Sequence, residues 1–275
     1  MSTTHPAPAG GPMLDISQTA RVPFSRLVRV EWRKMLDTRG GFWLMVATGI
    51  LLVITVGLVL LVVALTDDPL EIGANGFSQI LTIPLSLLLP VFPILTVTSE
   101  WGQRTGLVTF ALEPHRLRVM LAKAARVVLL ALATIAVALV LGAVGNVATA
   151  AMDGIDAKWD LDLGTLVLTI LLQLLYFLMA YGFGTVFLNT PAAIAFFYVI
   201  ALMLPLFVYS TLYAFFEWAQ DLIPWIDLQY ASAPFLDPDD DPTAMDGVRM
   251  LVTVIIWIVI PLVVGMRRVL SSEPK

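Results

Sequence analysis

The residues of this chain that could do chemistry are concentrated in one segment, from Ser99 to Arg126. The segment carries two carboxylates, Glu100 and Glu113, five of the 16 Lys and Arg side chains, and one of the chain's two histidines, His115. Carboxylates next to Lys and Arg favour ion pairs and contacts with a charged partner. A catalytic role for His115 is disfavoured, because no buried nucleophile is predicted beside it.

The motifs of common catalytic and metal sites are missing from the sequence. It has no cysteine, no H-E-x-x-H and no G-x-x-x-x-G-K-[ST] phosphate loop. We therefore expect no catalytic residue, no metal site and no cofactor bound by this chain. We also expect no nucleic-acid partner.

Six apolar runs that contain no charged residue predict the helices that flank and position this segment. The run from Phe42 to Leu65 is about 36 Å long as a helix, which exceeds the roughly 30 Å hydrocarbon core of a bilayer. Hydrocarbon offers no partner to backbone N–H and C=O groups, so each run is expected to be helical. We predict an all-α integral membrane protein with six transmembrane helices at about 42–65, 78–98, 127–151, 165–188, 192–214 and 250–266.

The Lys and Arg residues predict the orientation of these spans. All of the 16 except Lys158 and Arg249 precede the first run, lie between the second and third, or follow the sixth. Positive charge is retained in the cytoplasm, so both termini are expected there. The domain prediction is a disordered cytoplasmic tail, an amphipathic interfacial helix, a six-span domain and a second cytoplasmic tail, at residues 1–20, 21–41, 42–266 and 267–275.

Three prolines in the second run, Pro84, Pro90 and Pro93, each remove a backbone donor and can kink the helix. A re-entrant segment is the alternative. It would place the basic residues from Arg104 to Arg126 outside, against the charge bias, so we expect a full span.

A further helix is predicted from Phe24 to Asp37, where apolar residues recur at helical spacing beside a basic face. A basic amphipathic helix with Trp in its apolar face is typical of the membrane interface. A simple positive-inside anchor with no other role is the alternative. The candidate interfacial residues are Arg29, Trp32, Arg33 and Lys34.

The order of these features resembles the permease subunits of type-two ATP-binding-cassette (ABC) exporters. In that family a Glu ends the second span, a short helix with a basic-Thr-Gly or Gly-Thr element follows, and Pro and basic residues precede a Lys that opens the third span. Before the first span, Glu31-Trp32-Arg33-Lys34 and Thr38-Arg39-Gly40 also resemble the family. Many members have Gly-Thr where this chain departs with Arg-Thr-Gly. The matching residues here are Glu100, Arg104, Thr105, Gly106, Pro114, Arg116, Arg118 and Lys123.

The resemblance implies that residues 101–112 form a coupling helix, which sits in a groove of a cytoplasmic ATPase and moves with it. Glu100, at the membrane boundary, is expected to pair with Arg or Lys and to join this helix to the amphipathic one. A solvated loop whose charges only set the topology is the alternative. The candidate coupling residues are Glu100, Trp101, Arg104, Thr105, Gly106, Leu107, Val108 and Leu112.

The resemblance also implies the partners. A separate nucleotide-binding subunit would carry ATP and Mg, and a second permease copy would complete the pathway as a homodimer or heterodimer. The remaining partner is membrane lipid. We therefore expect the permease subunit of an ABC transporter, an exporter, in a bacterial cytoplasmic membrane. The alternative is an ATPase-independent facilitator or a structural subunit of a membrane complex.

Uncharged polar residues near the spans could line a pathway or pack helices together. A pathway with so few charges would fit a lipid-like or amphipathic cargo. Small residues such as Gly142 and Gly145 predict a packing face on the third span, either within the subunit or at a dimer contact. The candidate pathway or packing residues are Asn146, Gln173, Tyr176 and Tyr198.

Overall fold

The computed structural model describes residues 23–66, 72–102, 115–237 and 240–271. Helices are the only regular secondary structure in these ranges. The predicted tail at residues 1–20 and the candidate coupling helix from residue 103 onward lie outside the described residues. The prediction that residues 103–112 form a helix therefore stays a prediction.

Six helices in the described part of the chain are long and apolar enough to cross a membrane, and each contains or closely matches one predicted run. The second consists of two pieces that continue each other across a turn at residues 89–90. In chain order they are α2 (Arg39–Leu65), α3 (Ala74–Leu88) followed by α4 (Val91–Gly102), α5 (Arg116–Asp153), α6 (Leu163–Phe187), α7 (Thr190–Phe215) and α10 (Ala244–Ser271).

Three further helices in the described ranges lie outside the spans. The predicted helix before the first span is present with the predicted bounds, and a pair of short helices connects α7 to α10. Both α7 and α10 contain a π-helical stretch, at Val199–Tyr209 and Ile255–Val259. The helices outside the spans are α1 (Phe24–Asp37), α8 (Glu217–Ile226) and α9 (Leu228–Leu236).

The α3–α4 segment traverses the whole bundle. At its start, the Ala74 N–H donates to the carbonyl of Lys158, at 3.0 Å. At its end, Glu100 lies 2.8 Å from Lys123. Lys123 is near the start of α5 and Lys158 follows its end, so about 45 Å of helix separates these contacts. The second apolar run is a full-length segment rather than a re-entrant one. Pro90 lies in the turn at residues 89–90, Pro93 lies in the first turn of α4, and Pro84 lies inside α3.

The core is built around this second span. In its most apolar stretch 56% of the residues are buried, against 17% in α2 and 11% in α10, which lie at the periphery. Peripheral helices that expose large apolar side chains are suited to contact lipid or another apolar surface.

Small residues let the helices of the core approach closely. A Cβ added to Gly145 on α5 would lie 2.4 Å from the ring of Phe77 on α3, and one on Gly265 would lie 1.9 Å from the Thr185 hydroxyl on α6. Neither site has room for a larger residue. The small face predicted on the third span is thus a packing face within the subunit.

A short turn joins α6 to α7. Leu188 adopts a left-handed conformation, with φ 52°, which ends α6. The Asn189 side chain then accepts a hydrogen bond from the Ala192 N–H at 3.0 Å and caps α7. The connection between these two spans is therefore a tight turn.

Candidate functional site: a buried charge cluster

Five charged side chains from three helices meet at one end of the bundle. Glu31 and Lys34 lie on α1, Glu100 lies in the last turn of α4, and Lys123 and Arg126 lie near the start of α5. In both i, i+3 pairs the spacing places the two side chains on the same helix face. We call this set of five residues the charge cluster, and the end of the bundle that carries it the α1 end.

Both lysines of the charge cluster bridge both carboxylates. Lys123 Nζ lies 2.8 Å from Glu100 Oε1 and 3.3 Å from Glu31 Oε2. Lys34 Nζ donates to Glu31 Oε1 at 3.0 Å and to Glu100 Oε1 at 3.1 Å. No single pair therefore defines the cluster, and displacing either carboxylate disturbs two ammonium groups.

Arg126 adds contacts to the backbone. One of its terminal nitrogens donates to the main-chain carbonyl of Glu31 at 2.5 Å and lies 3.5 Å from Glu31 Oε2. The other donates to the Thr96 hydroxyl on α4. Lys123 Nζ also donates to the Thr96 carbonyl, at 3.1 Å. These bonds attach α5 to both α1 and α4.

The charge cluster is buried. Glu31, Lys123 and Arg126 are 5%, 2% and 4% exposed, and only Lys34 has substantial access to solvent. Removing one partner of a buried ion pair typically costs about 3–5 kcal/mol, because the other charge is left unpaired. The cluster is therefore sensitive to the loss of any one buried member.

The neighbouring charges of the cluster keep the Glu31 carboxylate and the Lys34 ammonium ionised. Burial opposes the charge on Glu31, but the nearby Lys123, Lys34 and Arg126 outweigh it and lower the pKa of Glu31. Burial likewise opposes the charge on Lys34, while Glu31 and Glu100 outweigh it and raise the pKa of Lys34. Both groups are charged at neutral pH, so their ion pairs are present under ordinary conditions.

An apolar shell surrounds the charge cluster and connects it to α6. Trp32 of α1 and Trp101 of α4 pack against the main hydrophobic core. Tyr181 of α6 is fully buried, and its hydroxyl donates to the Met120 carbonyl on α5 at 2.8 Å. These contacts limit the access of water to the cluster and attach the fourth span to it.

The structure brings together only part of the predicted site. Glu100 pairs with Lys34 and Lys123, so its expected ion pair with a basic residue is present, while the expected coupling helix lies beyond the described residues from residue 103 onward. Arg29 and Arg33 are exposed and stand outside the cluster. The other candidate coupling residues, Arg104, Thr105, Gly106, Leu107, Val108 and Leu112, lie outside the described residues.

Lys123 and Arg126 precede the predicted third span at 127–151, but the structure places them within a helix. Both lie on α5, which begins at Arg116 and continues without a break into the third span. Both are buried rather than solvated, so they do more than set the topology. A signal was available: Arg126 precedes Val127 and Leu130 in the same helical stripe, and both of these are buried core residues.

Glu31 was absent from the candidate site although it is the most buried described residue of α1. It lies three and four residues after the apolar Val28 and Leu27, so helical spacing places it within the apolar stripe. An ionisable residue within an apolar stripe is the pattern that could have identified Glu31 as a site residue.

The four uncharged candidates have different environments. Asn146 donates to the Lys158 carbonyl at 3.0 Å, and the Tyr198 hydroxyl donates to the Leu87 carbonyl. Both join separate segments, which agrees with the packing alternative. Tyr176 is partly buried, and Gln173 is buried with an amide nitrogen that has no hydrogen-bond partner among the described residues.

No protein-family model matches this chain, and no curated protein matches its sequence. Its function is therefore inferred from the residues, the six-span fold and the charge cluster.

Proposed function

We propose that this chain is the permease subunit of an ABC transporter, an exporter driven by a separate ATPase subunit. The observation that carries the proposal is that Glu100 contacts both Lys34 and Lys123 from the last turn of α4. These contacts lie beside the segment 103–114, which connects α4 to α5 and contains the family-like Arg104-Thr105-Gly106.

The physical reason is mechanical. A segment that binds a moving ATPase transmits that motion only if the helices at its two ends are attached to the rest of the bundle. Here the end of α4 and the start of α5 are joined by Glu100 and Lys123, and α1 is joined to both through Lys34 and Glu31. A displacement of the 103–114 segment would therefore move α1, α4 and α5 together. The Tyr181 contact would carry part of it to α6.

Several features of the working transporter belong to the same proposal. Both termini and the 103–114 segment would face the cytoplasm of a bacterial cell, in agreement with the distribution of Lys and Arg. ATP and Mg would be bound by the partner ATPase. A second permease copy, identical or homologous, would complete the pathway, and peripheral helices such as α2 and α10 offer apolar surface for it or for lipid.

The test is a pull-down of the full chain from its native membrane in a gentle detergent, followed by an assay of bound partners for ATP hydrolysis. We expect a nucleotide-binding subunit in fixed ratio with the wild-type chain. Arg104→Glu is expected to reduce its recovery at least about tenfold, the equivalent of 1.4 kcal/mol. Glu100→Ala is expected to retain the partner but to lose ATP-driven transport, because its contacts lie inside the permease.

Lys158→Glu is the matched control, since it reverses a charge at the opposite end of the bundle. It should leave partner recovery unchanged. Purification without any ATPase in several detergents would overturn the proposal and favour an ATPase-independent facilitator or structural subunit. Wild-type transport in both variants at equal membrane abundance would overturn the coupling role alone.

A further inference from the structure

A small cavity of about 30 Å³ lies between the second, third and fourth spans. Most of its wall is apolar, with side chains such as Leu85, Ile135 and Ile170. Its polar residues are Ser78 and Thr82 on α3 and Thr169 and Gln173 on α6. Gln173 lies about 15 Å along α6 from its first residue, which is near the middle of a roughly 30 Å apolar layer.

Gln173 is the residue that makes this cavity unusual. It is 5% exposed, and its Nε2 atom has no hydrogen-bond partner in the described part of the chain. A buried donor without a partner costs about 1–3 kcal/mol. Such a group in the middle of a span indicates that an acceptor outside the described protein atoms occupies the cavity.

The three hydroxyl groups in the cavity wall limit which kind of acceptor can bind beside Gln173. Ser78 donates to the Asn75 carbonyl at 2.9 Å, Thr82 donates to the Ser78 carbonyl at 2.9 Å, and Thr169 donates to the Thr165 carbonyl at 2.8 Å. Their hydrogens are already used within their own helices, so their oxygens can only accept. A ligand at this site must therefore accept from Gln173 and is favoured if it also donates to a hydroxyl oxygen.

The size of the cavity and the absence of charge in its lining further limit which ligand can bind there. None of the lining residues is ionisable, so neither a cation nor an anion would be compensated there. The volume of about 30 Å³ exceeds the roughly 10–15 Å³ that a cavity needs to hold one water molecule, so it also admits one hydroxyl group. A larger ligand would have to place only its polar group in the cavity and its apolar part along the partly exposed Leu166 and Ile170.

We propose that the cavity at Gln173 is a binding site for an uncharged hydroxyl. The hydroxyl comes from an internal water or from the alcohol group of an amphipathic molecule that enters from the apolar surroundings. The site consists of Gln173 as donor and the Ser78, Thr82 and Thr169 oxygens as acceptors. It does not depend on the proposed ATPase partner, because it is built within one subunit.

The test uses the purified full chain in lipid nanodiscs and two photoreactive probes. One is a long-chain aliphatic alcohol with a diazirine beside its hydroxyl, and the other is the matching alkane diazirine without the hydroxyl. Labelled positions are mapped by peptide mass spectrometry. The chain is compared with Gln173→Met, which keeps the side-chain length and removes the hydrogen bond. Gln79→Met is the matched control, since Gln79 is exposed on the same helix as Ser78.

If an alcohol binds, the alcohol probe should label residues 78–85 and 166–173 about tenfold more than the alkane, as one hydrogen bond of about 1.4 kcal/mol would give. The preference should persist in Gln79→Met and be lost in Gln173→Met. If water is the occupant, both probes should label equally, and a high-resolution experimental structure should show ordered density within hydrogen-bond distance of Gln173 Nε2.

Two results would overturn the proposal. One is equal labelling by both probes together with no ordered density at Gln173 Nε2. The other is a preference for the alcohol that survives unchanged in Gln173→Met. Should that variant fail to fold, the comparison of the two probes on the wild-type chain and the search for ordered density still decide the question.

Discussion

The two ends of the bundle use charged residues in different ways. At the α1 end, the charge cluster joins residues from helices that are far apart in the chain, such as Lys34 and Glu100. At the opposite end, carboxylates mostly act within a few residues: Asp162 accepts from the Thr165 N–H at 2.8 Å, and Asp246 pairs with Arg249 at 2.9 Å. One end is joined by long-range ion pairs, while the other mainly caps its own helices.

This difference shows where the molecule can transmit a displacement. A capping carboxylate stabilises the start of one helix and has little influence on its neighbours. A buried cluster shared by three helices constrains their relative positions, because none can shift without separating charges in a low-dielectric environment. The α1 end is therefore the end at which an external partner would control the spans.

The largest expected effect is on the charge cluster itself. Glu31→Ala leaves Lys123 and Arg126 with a reduced set of partners in a buried site, so we expect a loss of about 3–5 kcal/mol in the free energy of unfolding. Denaturant unfolding in detergent measures it. Arg33→Ala on the same helix is the control, and its exposed side chain should change stability by about 0.5 kcal/mol or less. Equal effects of the two changes would contradict the importance of burial.

Glu100→Ala should affect stability less than Glu31→Ala. Both lysines keep Glu31 as a partner, and Glu100 is the more exposed of the two carboxylates. We expect a loss of about 1–3 kcal/mol, the cost of unmade hydrogen bonds to a charged group. The same unfolding measurement tests whether Glu100→Ala is less destabilising than Glu31→Ala. A larger loss for Glu100→Ala than for Glu31→Ala would show that the cluster is organised around α4 rather than α1.

A local cap at the opposite end gives a smaller effect. Asp162→Ala removes the acceptor for the Thr165 N–H at the start of α6, and loss of such a cap costs about 1 kcal/mol. Hydrogen exchange of the first turn of α6 should rise, while exchange at the charge cluster should stay unchanged. Increased exchange at both ends would contradict the separation of the two regions.

The smallest effect concerns pH. The pKa of Glu31 is lowered, so its contribution to stability is complete above its ordinary value of 4.5 and is lost as pH falls through the lowered pKa. The pKa of Lys34 is raised, so its contribution is complete below 10.5 and is lost as pH rises through the raised pKa. The melting temperature should therefore fall at both extremes.

Comparison with Glu31→Gln isolates these contributions. The variant should show a shallower acid decline than the wild-type chain, because it lacks the carboxylate whose protonation is being measured. It should also show an earlier alkaline decline, because Lys34 then has one carboxylate fewer to hold its proton. Identical pH profiles would mean that other groups dominate.

Some of the site could be predicted from local sequence. The pairing of Glu100 with a lysine followed from its position at the end of an apolar run, where a charge needs a partner. Glu31 and Lys123 entered only through the resemblance and Arg126 only through the charge bias, because run boundaries assign a charged residue to the outside of a span. Each of these residues lies three or four positions from an apolar residue of the same helix face, which indicates that its side chain is buried. That spacing identifies a shared site only when α1 and α5 are known to face each other.

The number and type of the spans follow from the amino-acid sequence, because backbone groups in hydrocarbon must bond within their own segment and charge-free runs of sufficient length are readily recognised. The helix from Phe24 to Asp37 follows from its periodicity. The three-dimensional arrangement was needed to learn that Gly145 packs on Phe77 within the subunit, that three helices share the charge cluster, and that Gln173 lines a cavity. These are contacts between residues distant in the chain, and the local sequence pattern does not show which helix faces pack together.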